Sequence, residues 1–234
     1  MQSIYRKIIE LPINGFAWFL DYMYVAYWQI YGFFIRADPT EYDTSSAHKT
    51  PVILIPGIYE NWQFMKPIAD MLYKNGHPIH IIDGLGYNTG DIETMAALVD
   101  TYITKNKLES CVIVAHSKGG LIGKYVLANF NTKKKIKGMV AVNTPFSGSR
   151  YAYLLLPLKS TRIFIPNSPI LSVLASNTLV NSQIVSIYGQ FDPHIPKGSY
   201  LEGAKNIQLK TRGHFRIMKN NDIHQAIVRS IKNF

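Results

Sequence analysis

The 234 residues, 47% of them hydrophobic, suit one domain with a core large enough to stand alone, and the single cysteine, Cys111, excludes an internal disulfide. The formal net charge of +10 is dispersed and accompanied by no recognition motif, so nucleic acid is not expected as a partner. The sequence holds no internal repeat, low-complexity tract or metal-ligand spacing, and no motif requires a cofactor.

The chain opens on its least decided segment. Leu11 to Ile35 is long enough to span a bilayer, which takes about 20 apolar residues, with Arg6 and Lys7 before it and Arg36 after it. Asp21 near the middle of such a span costs about 2.5–3.5 kcal/mol, and Asn14 and Gln29 weaken it further. The Trp and Tyr content suits a membrane interface better than a membrane centre. Phe16, Phe19, Met23, Tyr27, Ile30 and Phe34 recur at helical spacing. Three uses are open to that stripe: lying on a membrane surface, packing on the rest of the chain, or joining subunits in a homo-oligomer. An interrupted apolar core without a small-x-small cleavage site argues against a signal peptide, which implies a cytoplasmic or peripherally membrane-associated protein. Residues 1–48 therefore read as a hydrophobic, aromatic helical segment followed by a polar linker that contains His48.

From 49 to 234, strand-like and helical runs alternate. They are Pro51–Ile55, Asn61–Asn75, Pro78–Asp83, Ile92–Lys105, Ser110–His116, Leu121–Asn131, Gly138–Thr144, Gln183–Gly189, Asn206–Thr211 and Asp222–Lys232. Such alternation implies an α/β fold, a parallel sheet covered by helices on both faces. Cys111, at the start of the central run, reads as a small buried hydrophobe. The Lys133–Lys137 run reads as a solvated loop. Between Ser149 and Gln183 lies an irregular insert rich in Leu, Ile and Tyr and broken by Pro157, Pro166 and Pro169.

One stretch carries chemistry. Val112-Ile113-Val114-Ala115-His116-Ser117-Lys118-Gly119-Gly120 is an apolar strand running into a small-residue turn with a serine at its tip, and a helix follows. This is the nucleophile-elbow pattern G-x-S-x-G with Ala115 in place of the first glycine. The turn pushes the hydroxyl outward, while the helix directs its N–H groups and dipole at the same spot. The plainer reading makes Ser117 a helix N-cap. A serine nucleophile needs a base, and the base needs an acid to orient it. Asp192 follows the Gln183–Gly189 strand, and His214 follows the Asn206–Thr211 strand. Both lie in loops at carboxyl ends, in the order acid then histidine. After the first strand, Pro56-Gly57-Ile58 lets the backbone approach the serine, so that the Ile58 and Lys118 N–H groups form an oxyanion hole.

The rivals are weaker. His116 adjoins the serine and points away from it, and His194 shares a short loop with Asp192 and at most lines the site. His224 lies in the last helix, while His77 and His80 flank an early strand and read as structural. Asp83 also follows a strand, but it precedes the serine, and Asp83-Gly84-Leu85-Gly86 reads as a loop shaping the site floor.

These segments, together with Asn143-Thr144-Pro145-Phe146-Ser147-Gly148-Ser149, resemble the α/β-hydrolases, in particular small bacterial triacylglycerol lipases and esterases. The likeness runs from about residue 50 to the end. It departs where many relatives have His-Gly for Pro56-Gly57 and Thr-Pro-His for Thr144-Pro145-Phe146. The resemblance implies the α/β-hydrolase fold for 49–234, with a mostly parallel sheet, an N-terminal extension, and residues about 150–182 as a short cap lining an acyl pocket. It implies a serine carboxylester hydrolase of apolar acyl esters, acting in lipid metabolism on a small-molecule or lipid ester without metal or cofactor. Acyl transfer by the same residues is the nearest alternative, and a non-catalytic membrane- or partner-binding protein on the same scaffold is the alternative of another class.

Overall fold

Six runs of the sequence form six strands in the computed structural model, which describes residues 2–35, 37–42, 49–155 and 157–234. They are β1 (Val52–Ile55), β2 (Ile79–Ile81), β3 (Cys111–His116), β4 (Ile136–Val142), β5 (Ile184–Phe191) and β6 (Lys205–Arg212). Across the sheet their order is β2-β1-β3-β4-β5-β6, and every pairing is parallel. β1 and β3 are buried at every residue, which is why they read as unbroken apolar runs rather than alternating ones. Edge strand β6 keeps an exposed lysine at both Lys205 and Lys210.

Helices cover both faces. On one, α3 (Ile92–Lys105) and α4 (Lys118–Asn129) pack Val99, Ile103, Leu121 and Ile122 against Ile53, Ile113, Ala115 and Met139. On the other, α2 (Lys66–Lys74) and α6 (Asn221–Ile231) pack Ile68, Leu72, Ile223 and Ile227 against Leu54, Val112, Val114 and Val140. The chain steps from β1 to β2 and then crosses back to β3, so the carboxyl ends of β1 and β3 flank the point where the strand order reverses. Open α/β sheets bind ligands in that crevice. Burial pushes the Cys111 thiol up to about 11, as expected of a small core side chain. Between β4 and β5, the insert folds as short 3-10 turns at Arg150–Leu155, Lys159–Phe164 and Leu179–Gln183 around one helix, α5 (Pro169–Ser176).

One local expectation needs correction. The helix after the serine starts at Lys118, not at Leu121. Lys118-Gly119-Gly120 reads as a turn because glycine is a poor helix former. A Cβ on Gly119, however, would lie 2.2 Å from the Ile55 carbonyl oxygen, so the glycine serves the contact between the helix start and β1. Of the three uses open to the apolar stripe of α1 (Gln2–Phe34), a helix that carries Pro12 within it, one is removed. Its Phe16, Phe19, Met23, Tyr27, Ile30 and Phe34 are each more than half exposed, so this stripe does not pack on the body. Ala17, Asp21, Tyr24 and Trp28 do instead. Hydrophobicity runs round most of this helix, and the polar contacts of Asp21 decide which side turns inward. No described helix is long and apolar enough to cross a membrane. Arg36 and His48 lie outside the described residues.

Candidate active site

Ser117 follows β3 directly, with φ +50° and ψ −119°, a conformation that L residues rarely adopt and that holds a tight strand-to-helix turn. Its N–H donates to the Val142 carbonyl at 2.9 Å. Its hydroxyl makes no capping bond to α4, which removes the plain N-cap reading. The hydroxyl instead lies 2.9 Å from Nε2 of His214, while Nδ1 of His214 lies 2.7 Å from Oδ2 of Asp192. The other oxygen of Asp192 accepts the His194 and Ile195 N–H groups at 2.7 and 3.0 Å. Thus loops after β3, β5 and β6 bring the serine, acid and histidine into one buried hydrogen-bonded chain.

Burial raises the Asp192 carboxyl, but the His214 charge and hydrogen bond outweigh it and hold the group below the usual range. Burial lowers His214, and Asp192 reverses this to leave it above an ordinary histidine. Burial drives His194 down to about 4, so it lines the site as a neutral ring.

Among the described residues the Ile58 N–H has no hydrogen-bond partner, and the Lys118 N–H is the first of α4, where no intrahelical acceptor exists. Ile58, Ser117 and His214 line one cavity of about 290 Å³. Tyr22, Val25 and Gln29 of α1 line it too, with Phe64, Phe215 and, from the insert, Tyr151, Ala152 and Phe164. The lining surface is mostly apolar, with Glu60, Gln29, the rings of His194 and His214 and several hydroxyls as its polar groups.

The remaining candidates fall elsewhere. Asp83 is exposed at the start of the 3-10 turn Asp83–Leu85. His77 bonds the Thr50 carbonyl, His80 faces Tyr102, and His224 bonds the Met218 carbonyl. His116 points away from the serine hydroxyl: Nδ1 meets Glu60 and Nε2 meets the His214 carbonyl, both at 2.9 Å.

A family model described as the alpha/beta hydrolase fold matches residues 50–163. The chain has the α/β-hydrolase fold. Among solved structures it is similar to a lipase of Bacillus licheniformis, with 16% identity, TM-score 0.60, and 78% of this chain and 92% of that one covered. An alpha/beta hydrolase enzyme from the metagenome of sediments of the Mar Chica lagoon, Morocco, aligns at 16% identity and TM-score 0.60, over 80% and 93% of the two chains. A thermophilic esterase of Thermogutta terrifontis aligns at 14% identity and TM-score 0.55, over 80% and 91%. No curated protein matches the sequence significantly. At these identities the likeness carries the fold, and the chemistry has to be argued from the site.

Three side chains of this α/β-hydrolase fold reach the site without having been singled out. Glu60 is buried, accepts the Gly57 N–H at 2.7 Å and faces His116, so it braces the loop that carries Ile58. Asn143 donates to the Gly213 and His214 carbonyls at 3.1 Å each. Asp21, on α1, accepts main-chain N–H groups of the His214 loop. Asn143 heads a segment that carries the family resemblance but is given no role there, and Asp21, the one acid inside an apolar run, reads in the sequence as a penalty against a membrane span. Lys118 adds a further bond: its buried ammonium, brought down to about 8 by burial, donates to the Asn88 and Gly90 carbonyls and ties the elbow to the loop after β2.

Proposed function

We propose that this protein is a serine carboxylester hydrolase acting on apolar acyl esters. The observation that carries the reading is the Ser117–His214–Asp192 hydrogen-bonded chain opening into an apolar cavity. Ser117 Oγ attacks the acyl carbonyl as His214 Nε2 takes its proton. The oxyanion binds the N–H groups of Ile58 and Lys118, aided by the dipole of α4. His214 then protonates the leaving alcohol, and Asp192 holds the proton on Nδ1 and stabilises the imidazolium. Water, activated by the same histidine, releases the acid. The lipase and esterase among the structural relatives agree with this chemistry. A p-nitrophenyl ester series from acetate to palmitate tests it: hydrolysis with an optimum above acetate is the expected result, and a folded protein inert on every ester overturns it. Preference for an added alcohol over water would reassign the chemistry to acyl transfer.

The outward face of α1 supports a lipid surface as the source of substrate. Its exposed aromatic and aliphatic side chains lie on the helix that also contributes Tyr22 to the cavity, and exposed Tyr59 and Tyr151 continue the lining outward. Lys210, Arg212, Arg216 and Lys219 surround a polar hollow beside the helix, where Arg212 donates to Asn14. Apolar side chains beside cations match an anionic bilayer surface. Flotation with phosphatidylserine-containing vesicles should recover the protein, less so in high salt, and the pair Phe19→Asp and Met23→Asp should release it. Equal failure to bind anionic and neutral vesicles, or a dimer in light scattering that the same pair disrupts, would sink this assignment.

A further inference from the structure

We infer that Asp21 is a positioning residue for the His214 base, which makes α1 a working part of the active site. The inference rests on the ester-hydrolase reading above. Asp21 is fully buried, and its two oxygens accept three main-chain N–H groups. His214 donates to Oδ2 at 2.7 Å, and Phe215 and Arg216 donate to Oδ1 at 2.9 and 2.7 Å. An ionised carboxylate is an acceptor-only group, suited to taking several donors on two oxygens.

The topology explains why such an anchor is needed. Ser117 follows β3, which is flanked by β1 and β4, and Asp192 follows β5, which is flanked by β4 and β6. His214 follows β6, the edge strand, which has a neighbour on one side only. Its loop is therefore the least constrained of the three by the sheet, and it is clamped from outside. Asp21 holds the His214 N–H, while His116 Nε2 at 2.9 Å and Asn143 Nδ2 at 3.1 Å hold its carbonyl. The chain comes as close to the carboxylate as glycine permits: at Gly213, with φ +111°, a Cβ would lie 2.7 Å from Asp21 Oδ1. α1 precedes residues 50–163, so this clamp lies before the segment that the family model matches.

Two effects follow. A base misplaced by about 1 Å can cost on the order of 100-fold in rate. The carboxylate also acts electrostatically on His214, less strongly than Asp192 but in the same direction, favouring the imidazolium that forms as Ser117 attacks. The groups that face His214 are Asp192, Glu60, His116 and His194, the two histidine rings at 4.9 and 5.0 Å, together with Phe215.

The test is steady-state kinetics of full-length Asp21→Asn on p-nitrophenyl butyrate across pH, with thermal unfolding alongside. The asparagine keeps the shape but turns an NH2 group toward main-chain donors. The expected result is a kcat about 100-fold lower with KM nearly unchanged, and an acid limb of kcat/KM displaced to lower pH. A kcat within twofold of wild type overturns the inference, and so does a lower kcat with an unmoved acid limb, which would make Asp21 merely structural. Should Asp21→Asn fail to fold, Asp21→Glu keeps the charge and displaces the carboxylate; lowered kcat at constant KM with the acid limb in place supports the proposal, and wild-type kcat overturns it. An inert wild type would instead count against the hydrolase reading itself, so the two failures are distinguishable.

Discussion

Ser117→Ala is expected to lower kcat on p-nitrophenyl esters by up to about 10⁶-fold while leaving the protein as stable as wild type to within about 1 kcal/mol. The two halves of that expectation have separate causes. The hydroxyl caps no helix N–H, so alanine forfeits no cap, and it bears the positive φ of the elbow no worse than serine. What is lost is the one bond to His214 and, with it, the attacking oxygen. The N–H groups of Ile58 and Lys118 remain, and a residual rate about 10³–10⁴-fold above the uncatalysed reaction should survive from them and from binding. Turnover and thermal unfolding of the same preparation check both halves. Retained turnover would remove Ser117 as nucleophile, and a marked loss of stability at full fold integrity would restore the capping role.

Asp192→Asn should cost about 10⁴-fold in kcat, and the hydrogen bonds around it indicate why. The His194 and Ile195 N–H groups both donate to one oxygen of Asp192, so the amide oxygen of an asparagine must take that place. Its NH2 group then faces Nδ1 of His214, which must become the acceptor, leaving the remaining proton on Nε2 where the serine proton has to go. The histidine is present but in the wrong tautomer. The pH dependence has a definite sign as well. His214 stands above the ordinary histidine value of about 6.5 because Asp192 outweighs burial, and it works as a base only when neutral, so the wild-type acid limb lies above that value. Removing the charge leaves burial in control and moves the limb to lower pH. The same raised value makes His214 contribute stability that is complete below about pH 6.5 and lost as pH rises through its folded value, so that contribution declines as activity grows. A pH-rate profile of both proteins, with unfolding followed over the same range, reads all three expectations.

Much of this was legible in one dimension because its physical cause is local. A strand buried on both faces is apolar along most of its length, so β1 and β3 are visible as runs; a parallel sheet needs helical crossovers, so the alternation is visible as well. Loops at strand carboxyl ends share one edge of such a sheet, which is why Ser117, Asp192 and His214 can be picked out although the first and last are 97 positions apart. Other features have no local cause. Gly119 looks like turn chemistry until β1 is packed against it. The inward face of α1 cannot be chosen by hydrophobicity on a helix that is apolar nearly all round. Glu60, Asn143 and Asp21 are ordinary polar residues whose partners are main-chain groups up to 195 positions away, and main-chain groups leave no mark in a sequence. The residue types and their order therefore determined which chemistry was on offer. Only the tertiary structure decided how the histidine is held, because that depends on a helix from one end of the chain meeting a loop from the other.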